Sequence, residues 1–394
     1  MKKYDVIVSG GGPIGGHVSK KISEKNYSVA ILEKNNEIGK HLNCAGLVTE
    51  RVFKITKLSL KTIQNNIYGA NIHSPFNNIL KIGGDHIHAI VIDRTNFDKE
   101  IIKQAEKKQV DVFLENRLDF VEKNKDKLRI KTSGKEEFEC KILIGSEGPF
   151  SKTRELFNFP RPKEFLKGIG AEVSNVSIDP NFVEIFVGKN VAPGFFAWII
   201  PINKDGTAAR LGLCIDSDAL YPPMFYFKKF LKNKYTQFFL KDAKITRNII
   251  GVIPLGFLKK TFTDNVVLVG DAAAQVKPTS GGGLYPGLLS ADHCANIVAS
   301  SLEQNNFSST FLKKYHKLWF KDIGKELNRG MTFRTVFKKL SDKEFDKYIC
   351  RFKNPKIVDI INKYGDIDYP SKLASPLIKK NLSILKLAKN ILKK

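Results

Sequence analysis

The stretch Tyr4-Asp-Val-Ile-Val-Ser-Gly-Gly-Gly-Pro-Ile-Gly15, with Val29-Ala-Ile-Leu-Glu33 behind it, decides the fold. It reads as strand, glycine turn, helix, strand and acid. Gly10, Gly12 and Gly15 fill the glycine places of G-x-G-x-x-G, which serve a tight turn, main-chain approach to a pyrophosphate, and close packing of helix on strand. Pro13 suits the first helical turn, whose unpaired N–H groups and dipole favour an anion. Glu33 follows the motif by roughly 20 residues, where a carboxylate accepts hydrogen bonds from a ribose. The glycine pattern alone is weak evidence against a structural turn. With strand, helix and acid in step, it indicates an adenine dinucleotide site.

A second site lies far along the chain. Val266-Val-Leu-Val-Gly-Asp-Ala-Ala-Ala274 reads as a strand ending at Gly270-Asp271 and leading into a helix of small residues, so the Asp271 carboxylate suits a ribityl hydroxyl. Pro278-Thr-Ser-Gly-Gly-Gly283 continues it. Gly281, Gly282 and Gly283 allow main-chain approach to a flat ring and offer N–H groups to its pyrimidine edge. Together the two stretches specify FAD.

At 394 residues the chain is long enough for two or three domains. Its 42% apolar content is that of a globular protein, and no apolar run approaches the roughly 20 residues of a membrane span. The first strand is too short for a cleaved leader, so a cytoplasmic protein is expected, either free or peripheral on the inner face of the cell membrane. Five scattered cysteines without C-x-x-C argue against a disulfide framework and against zinc or iron–sulfur ligation. A formal charge of +25 favours acidic partners, although lysines scattered over solvated faces also account for it.

The expected architecture is α/β: a discontinuous Rossmann-like FAD-binding domain (1–75, 94–160 and 263–302), an inserted antiparallel β-sheet substrate domain (76–93 and 161–262), and a C-terminal helical region (303–394). His86–Ile92 reads as a strand, followed by an amphipathic helix with Phe97, Ile101, Ile102 and Ala105 on one face. His86 and His88 share a strand face, but no nearby carboxylate or cysteine is evident, so no metal is expected.

These motifs resemble the geranylgeranyl reductase family of flavoproteins, within the group sharing the p-hydroxybenzoate hydroxylase fold. The likeness runs through most of residues 1–300. It rests on the N-terminal motif, Cys44-Ala45-Gly46, Asp93-Arg94, Gly145–Gly148 with Arg154, Pro193–Pro201, and Gly270-Asp271 with Gly281–Gly283. The resemblance implies FAD-dependent reduction of isoprenoid double bonds in prenylated membrane lipids. It places Glu33 at the ribose, Arg94 beside the FAD, Asp271 at the ribityl chain, and Cys44, Ala45 and Gly46 against the isoalloxazine. The family's Asp-Gly pair is Glu147-Gly148 here, a longer carboxylate near the diphosphate. Its pocket signature P-x-x-Y-x-W-x-F-P stands as Pro193-Gly-Phe-Phe-Ala-Trp-Ile-Ile-Pro201, which also approaches the W-x-W-x-I-P of flavin-dependent halogenases.

Along that strand Phe196, Trp198 and Ile200 share one face and are expected to form an apolar substrate wall, with core packing as the competing reading. Cys44 is a weak candidate for proton relay, against a packed small residue. No second dinucleotide motif marks a nicotinamide domain, so electrons arrive from transiently bound NAD(P)H or from an acidic carrier such as ferredoxin. Residues 376–394 carry Ile378, Leu382, Leu385 and Leu392 on one stripe with lysines opposite, the pattern either of an interfacial helix on anionic lipid or of a helix packed on its own protein. A nucleic-acid role is not expected. The alternatives are a flavin monooxygenase or halogenase and a non-catalytic prenyl-lipid binding protein of the same fold, against which the intact glycines and Asp271 speak.

Overall fold

The structure, a computed structural model, describes residues 1–40, 44–124 and 126–380. An eight-stranded sheet is built around β1 (Lys2–Ser9), flanked in parallel by β2 (Val29–Leu32) and β11 (Glu137–Gly145). Parallel β8 (Asp111–Phe113) and β18 (Val266–Leu268) extend it, and antiparallel β17 (Phe262–Thr263) ends one edge. β9 (Leu118–Asn124) and β10 (Lys127–Thr132) form a meander on β11. A parallel sheet is covered on both faces, and the β1 run Val6-Ile7-Val8 is accordingly sealed from water. Val6 and Val8 pack on α1 (Pro13–Ser23), α3 (Arg94–Glu106) and α7 (Leu284–Glu303); Ile7 packs with Leu128, Ile130 and Phe138.

The inserted sheet has seven strands, in the order β16 (Lys244–Leu255), β12 (Glu164–Ser174), β15 (Ala208–Asp216), β14 (Phe196–Pro201), β13 (Phe182–Val187), β5 (Gly69–His73), β6 (Ile79–Gly83). Its pairs are antiparallel except β13 with β5. Its back face is closed by α5 (Pro223–Leu231) and α6 (Lys234–Leu240). A small sheet of β3 (Leu47–Val48), β7 (Ala89–Ile92) and β4 (Ile63–Ile67) joins the two larger ones.

Three expectations change. Residues 69–75, expected with the nucleotide domain, enter the inserted sheet, because β5 finds its partner in β13, more than a hundred residues on. The strand expected at His86–Ile92 is only Ala89–Ile92, and it pairs with β3 and β4 rather than with the inserted sheet. No long helix follows Asp271: a short 3₁₀ turn, Gly270–Ala273, is ended by left-handed Ala274, and α7 starts at Leu284.

The other described elements are mostly helical. α2 (Arg51–Thr56) and α4 (Lys152–Leu156) are short; α8 (Ser309–Trp319), α9 (Lys325–Lys339), α10 (Asp342–Phe352), α11 (Pro355–Tyr364) and α12 (Ala374–Lys380) close the fold. Their starts are chemically marked: Ser341 and Glu344 make a reciprocal capping box on α10, and Asn354 caps α11 with Pro355 in its first turn. Residues 381–394 of the expected interfacial helix lie outside the described residues. Among the described residues no helix is long and apolar enough to cross a membrane.

Candidate functional site

At the first turn each glycine has a separate steric cause. Gly10 takes φ +106°, and a Cβ there would lie 2.6 Å from the Ser146 carbonyl oxygen. At Gly15 a Cβ would run into the Gly10 carbonyl oxygen and sit 2.6 Å from Ser146 Oγ, so helix and turn touch main chain to main chain. At Gly12 a Cβ would meet nothing within 4 Å, and the same holds at Gly148. Those positions border open space. Gly12 caps α1 without a side-chain bond, leaving the first helical N–H groups to an anion.

Glu33 stands at the rim of this turn. Its Oε2 accepts from the Gly11 N–H at 2.8 Å, and its Oε1 accepts from the Asn35 N–H at 2.9 Å and from Asn35 Nδ2 at 2.7 Å. Three donors fix a carboxylate that has about four acceptor positions, leaving one for a hydroxyl. The residues therefore fit an adenine dinucleotide: open glycines, an uncapped helix start and a preset acid. Glu147, expected near the diphosphate, is held by its own neighbours. It accepts from Ser151 Oγ at 2.6 Å, from the Thr153 N–H at 2.9 Å and from the Thr153 hydroxyl, so three of its about four acceptor positions serve the start of α4.

The second group of expected residues converges. Arg94 pairs with Asp98 through Nε and Nη2, both at 3.1 Å, with Cys44 beside it. Burial opposes its charge, but Asp98 and then Cys44 outweigh that and hold the guanidinium above its usual range. Burial pushes Asp271 up to about 6, with Arg94 the charge that opposes it. Gly283 borders the same carboxylate, since a Cβ there would lie 2.8 Å from Asp271 Oδ1. Cys44 Sγ accepts from the Gly46 N–H at 3.3 Å, folding the loop back on itself. Pro278 packs under α9 at Gly330, while Gly281 (φ +72°) and Gly282 border Phe195 and the Lys277 stem.

Two of the three residues expected to form the wall share a half-buried face. Phe196 and Trp198 are half-buried on one face of β14, where Trp198 joins Ala45 and Leu47 of the cysteine loop in one apolar cluster and Val276, Ile253 and Met331 in another. Ile200 does not line it. At 3% exposure it is core, packed with Ile67 and Val91. Ile185, paired with Trp198 across the sheet and therefore on its face, belongs in the wall instead.

Sequence reading missed the ionic stitches that hold these loops to the sheet. Buried Arg210 bonds the Ile92 carbonyl at 2.9 Å, the Ala45 carbonyl at 3.3 Å, Gln64 Oε1 at 2.7 Å and Glu172 Oε1 at 2.7 Å, and it fills the space a Gly46 side chain would need. Asp368, 1% exposed, accepts from Thr49 Oγ1 at 2.6 Å, Arg51 Nη1 at 3.0 Å and Lys277 Nζ at 2.6 Å, so the C-terminal segment grips both loops. Arg334 on α9 bonds the Gly194 carbonyl at 2.7 Å, Glu164 at 2.9 Å and Asp216. One signal was available: Asp366 and Asp368 are the sole acids after Asp359 in a lysine-rich tail.

The histidine expectation also needs correction. His86 and His88 lie in the turn before β7, and a carboxylate is close: Asp85 reaches His86 Nδ1 at 3.0 Å and His88 Nε2 at 3.1 Å. The group is largely exposed and away from the glycine turn in sequence.

Comparison with known proteins agrees with this architecture. The chain is 35% identical over 381 residues, 95% of each chain, to an uncharacterised protein of Methanocaldococcus jannaschii. It is 29% identical over 402 residues to the digeranylgeranylglycerophospholipid reductase of the same organism, covering 99% of this chain and 98% of that one. The crystal structure of a geranylgeranyl bacteriochlorophyll reductase-like protein from Thermoplasma acidophilum superposes with a TM-score of 0.85 at 21% identity, covering 99% of this chain and 100% of that one, which shows a common fold. The sequence profile of the lycopene cyclase protein family matches residues 5–353, so the chain belongs to that family.

Proposed function

We propose that this chain is an FAD-dependent reductase that saturates carbon–carbon double bonds in the isoprenoid chains, of geranylgeranyl type, of membrane-lipid precursors. One observation carries the reading: an apolar aromatic wall, Phe196 and Trp198, packs against both the Cys44–Gly46 loop and the segment leading to Gly281–Gly283. The similarity to a digeranylgeranylglycerophospholipid reductase supports it.

FAD, when bound, supplies the hydride for an alkene carbon. Gly10, Gly12 and the start of α1 would hold its diphosphate, Glu33 its ribose, and Asp271 its ribityl chain. Cys44, Ala45, Gly46, Arg94, Pro278, Gly281, Gly282 and Gly283 would surround its ring. An unactivated alkene has no carbonyl to take up charge, so the wall's task is to hold the chain still and exclude water. Cys44, beside Arg94, is the proposed route for the proton. Electrons come from NAD(P)H or from an acidic carrier such as ferredoxin, and the prenylated substrate places the protein at a membrane surface.

The test is mass spectrometry of geranylgeranyl-bearing phospholipid incubated anaerobically with dithionite-reduced protein. Products heavier by successive pairs of hydrogens are expected. Unchanged lipid from a flavin-loaded preparation rejects the reading, and oxygen-dependent modification of an aromatic substrate replaces it with the monooxygenase or halogenase alternative.

A further inference from the structure

The back of the inserted sheet carries a surface that its own fold does not explain. Leu220 is 82% exposed and Phe238 81%, and Tyr221, Met224, Phe225 and Ile245 also stand substantially in solvent. Large apolar side chains gathered in this way on a folded chain mark an interaction site. Tyr221 and Phe225 stack on each other at 4.2 Å, so this is an ordered aromatic group rather than a trailing loop.

Geometry says which way it faces. The inner residues Tyr226, Phe227, Phe230 and Leu240 of α5 and α6 pack on Ile199, Leu211 and Leu213, which alternate along their strands with Trp198 and Gly212. Two helices laid on one sheet face turn their outer sides the same way, opposite the Trp198 wall. Those outer sides carry Phe225 and Phe238 among Lys228, Lys229, Lys232 and Lys241. From 217 to 250 there are seven basic and two acidic residues, and six of the seven are lysine.

That composition separates two partners. An acidic protein would match the charge, but protein interfaces enrich arginine and deplete lysine. Lysine stems lying along apolar surface with their ammonium groups reaching outward, around aromatic tips, suit the headgroup boundary of an anionic bilayer. We infer that the outer face of α5 and α6 is the surface by which the chain docks on anionic lipid, with Leu220, Phe225 and Phe238 entering the acyl boundary. The choice of a bilayer rests on the proposed lipid substrate. The next strand, β16, is an edge of the sheet. Its Ile249 pairs through Gly170 and Gly212 with Trp198 and so faces the wall, giving a lipid chain a short path around that edge.

The experiment is co-sedimentation of the full-length protein with phosphatidylcholine vesicles, with and without phosphatidylglycerol. Binding that requires phosphatidylglycerol and weakens with salt is expected, and the triple variant Leu220→Ser, Phe225→Ser, Phe238→Ser is expected to lose at least tenfold in partition while keeping its flavin content. Phe225→Trp and Phe238→Trp give a second reading if the triple variant does not fold: their emission shifts to the blue on vesicles and is quenched by brominated lipid. The inference is overturned by a wild type that does not sediment, by a folded triple variant that binds as before, by tryptophans that stay in water, by complete loss on removing residues 376–394, or by loss of ferredoxin affinity with vesicle binding intact. Because no turnover is involved, vesicle binding through this face without hydrogenated product removes the reductase reading alone.

Discussion

The nucleotide turn and the aromatic wall are neighbours built in different ways. At the turn, the fixing contacts stay within the first βαβ unit: the Gly10 N–H to the Leu32 carbonyl at 2.8 Å, and the Gly11 N–H to the Glu33 carboxylate at 2.8 Å. At the wall, the fixing contacts join distant segments: Arg210 to Ala45, Arg334 to Gly194, Asp368 to Thr49. The first is a local geometry that the chain can adopt only with glycine. The second is an assembly whose parts mean little until they meet.

If that contrast holds, the two regions fail differently. Gly15→Val is expected to have the largest effect: its side chain meets main chain at Gly10, so the cost exceeds the about 1–3 kcal/mol of ordinary overpacking, and the purified protein loses its visible flavin absorbance. Arg210→Met removes one member of a buried charged network and is expected to lower stability by about 3 kcal/mol in urea titration, with flavin retained but the Ala45–Gly46 loop loosened to proteolysis. A variant as stable as wild type would show that the loop does not depend on the stitch.

Asp271 sharpens the comparison through pH. Burial raises its pKa from an ordinary carboxylate value to about 6, so the folded apoprotein binds this proton more tightly than the unfolded chain does. Its contribution to stability is full below the unfolded value and is lost as pH rises to about 6. Asp271→Asn is therefore expected to flatten the apoprotein's stability between about pH 4 and pH 6 and to raise it at pH 7 by about 3 kcal/mol, while weakening flavin retention. Urea midpoints across that range check it. A variant with the wild-type slope rules Asp271 out as the group responsible.

Smaller effects remain. Trp198→Leu keeps the wall apolar but removes the indole shared by two clusters; about a tenfold loss in kcat/KM, or about 1.4 kcal/mol, is expected in steady-state assays with unchanged flavin content. Lys54→Gln breaks a pair with Glu50 whose side chains are each 68% exposed, and a change within about 0.5 kcal/mol in the same urea titration is the baseline for the others.

How much was legible follows from the same contrast. Gly10, Gly12, Gly15 and Glu33 could be read because a backbone constraint writes itself into residue type at fixed spacing. Alternation put Phe196, Trp198 and Ile200 on one face, but it does not say how far along that face the cover extends, and Ile200 lies under it. Glu147 also satisfies its own neighbours Ser151 and Thr153, a local demand that motif matching does not show. Arg210, Lys277 and Arg334 carry no sequence signal, since an arginine or lysine destined for burial looks like one destined for solvent.

The sequence by itself determined the parallel βαβ start, the long insertion and the helical tail, because turn conformations, apolar periods and caps act over a few residues. Only the tertiary structure decided that β5 leaves the nucleotide domain for the inserted sheet, that Asp368 closes over Lys277, and which face of that sheet is left greasy and basic. Those outcomes depend on segments far apart in the chain competing for the same partners, and that competition is settled by packing rather than by any one segment's preference.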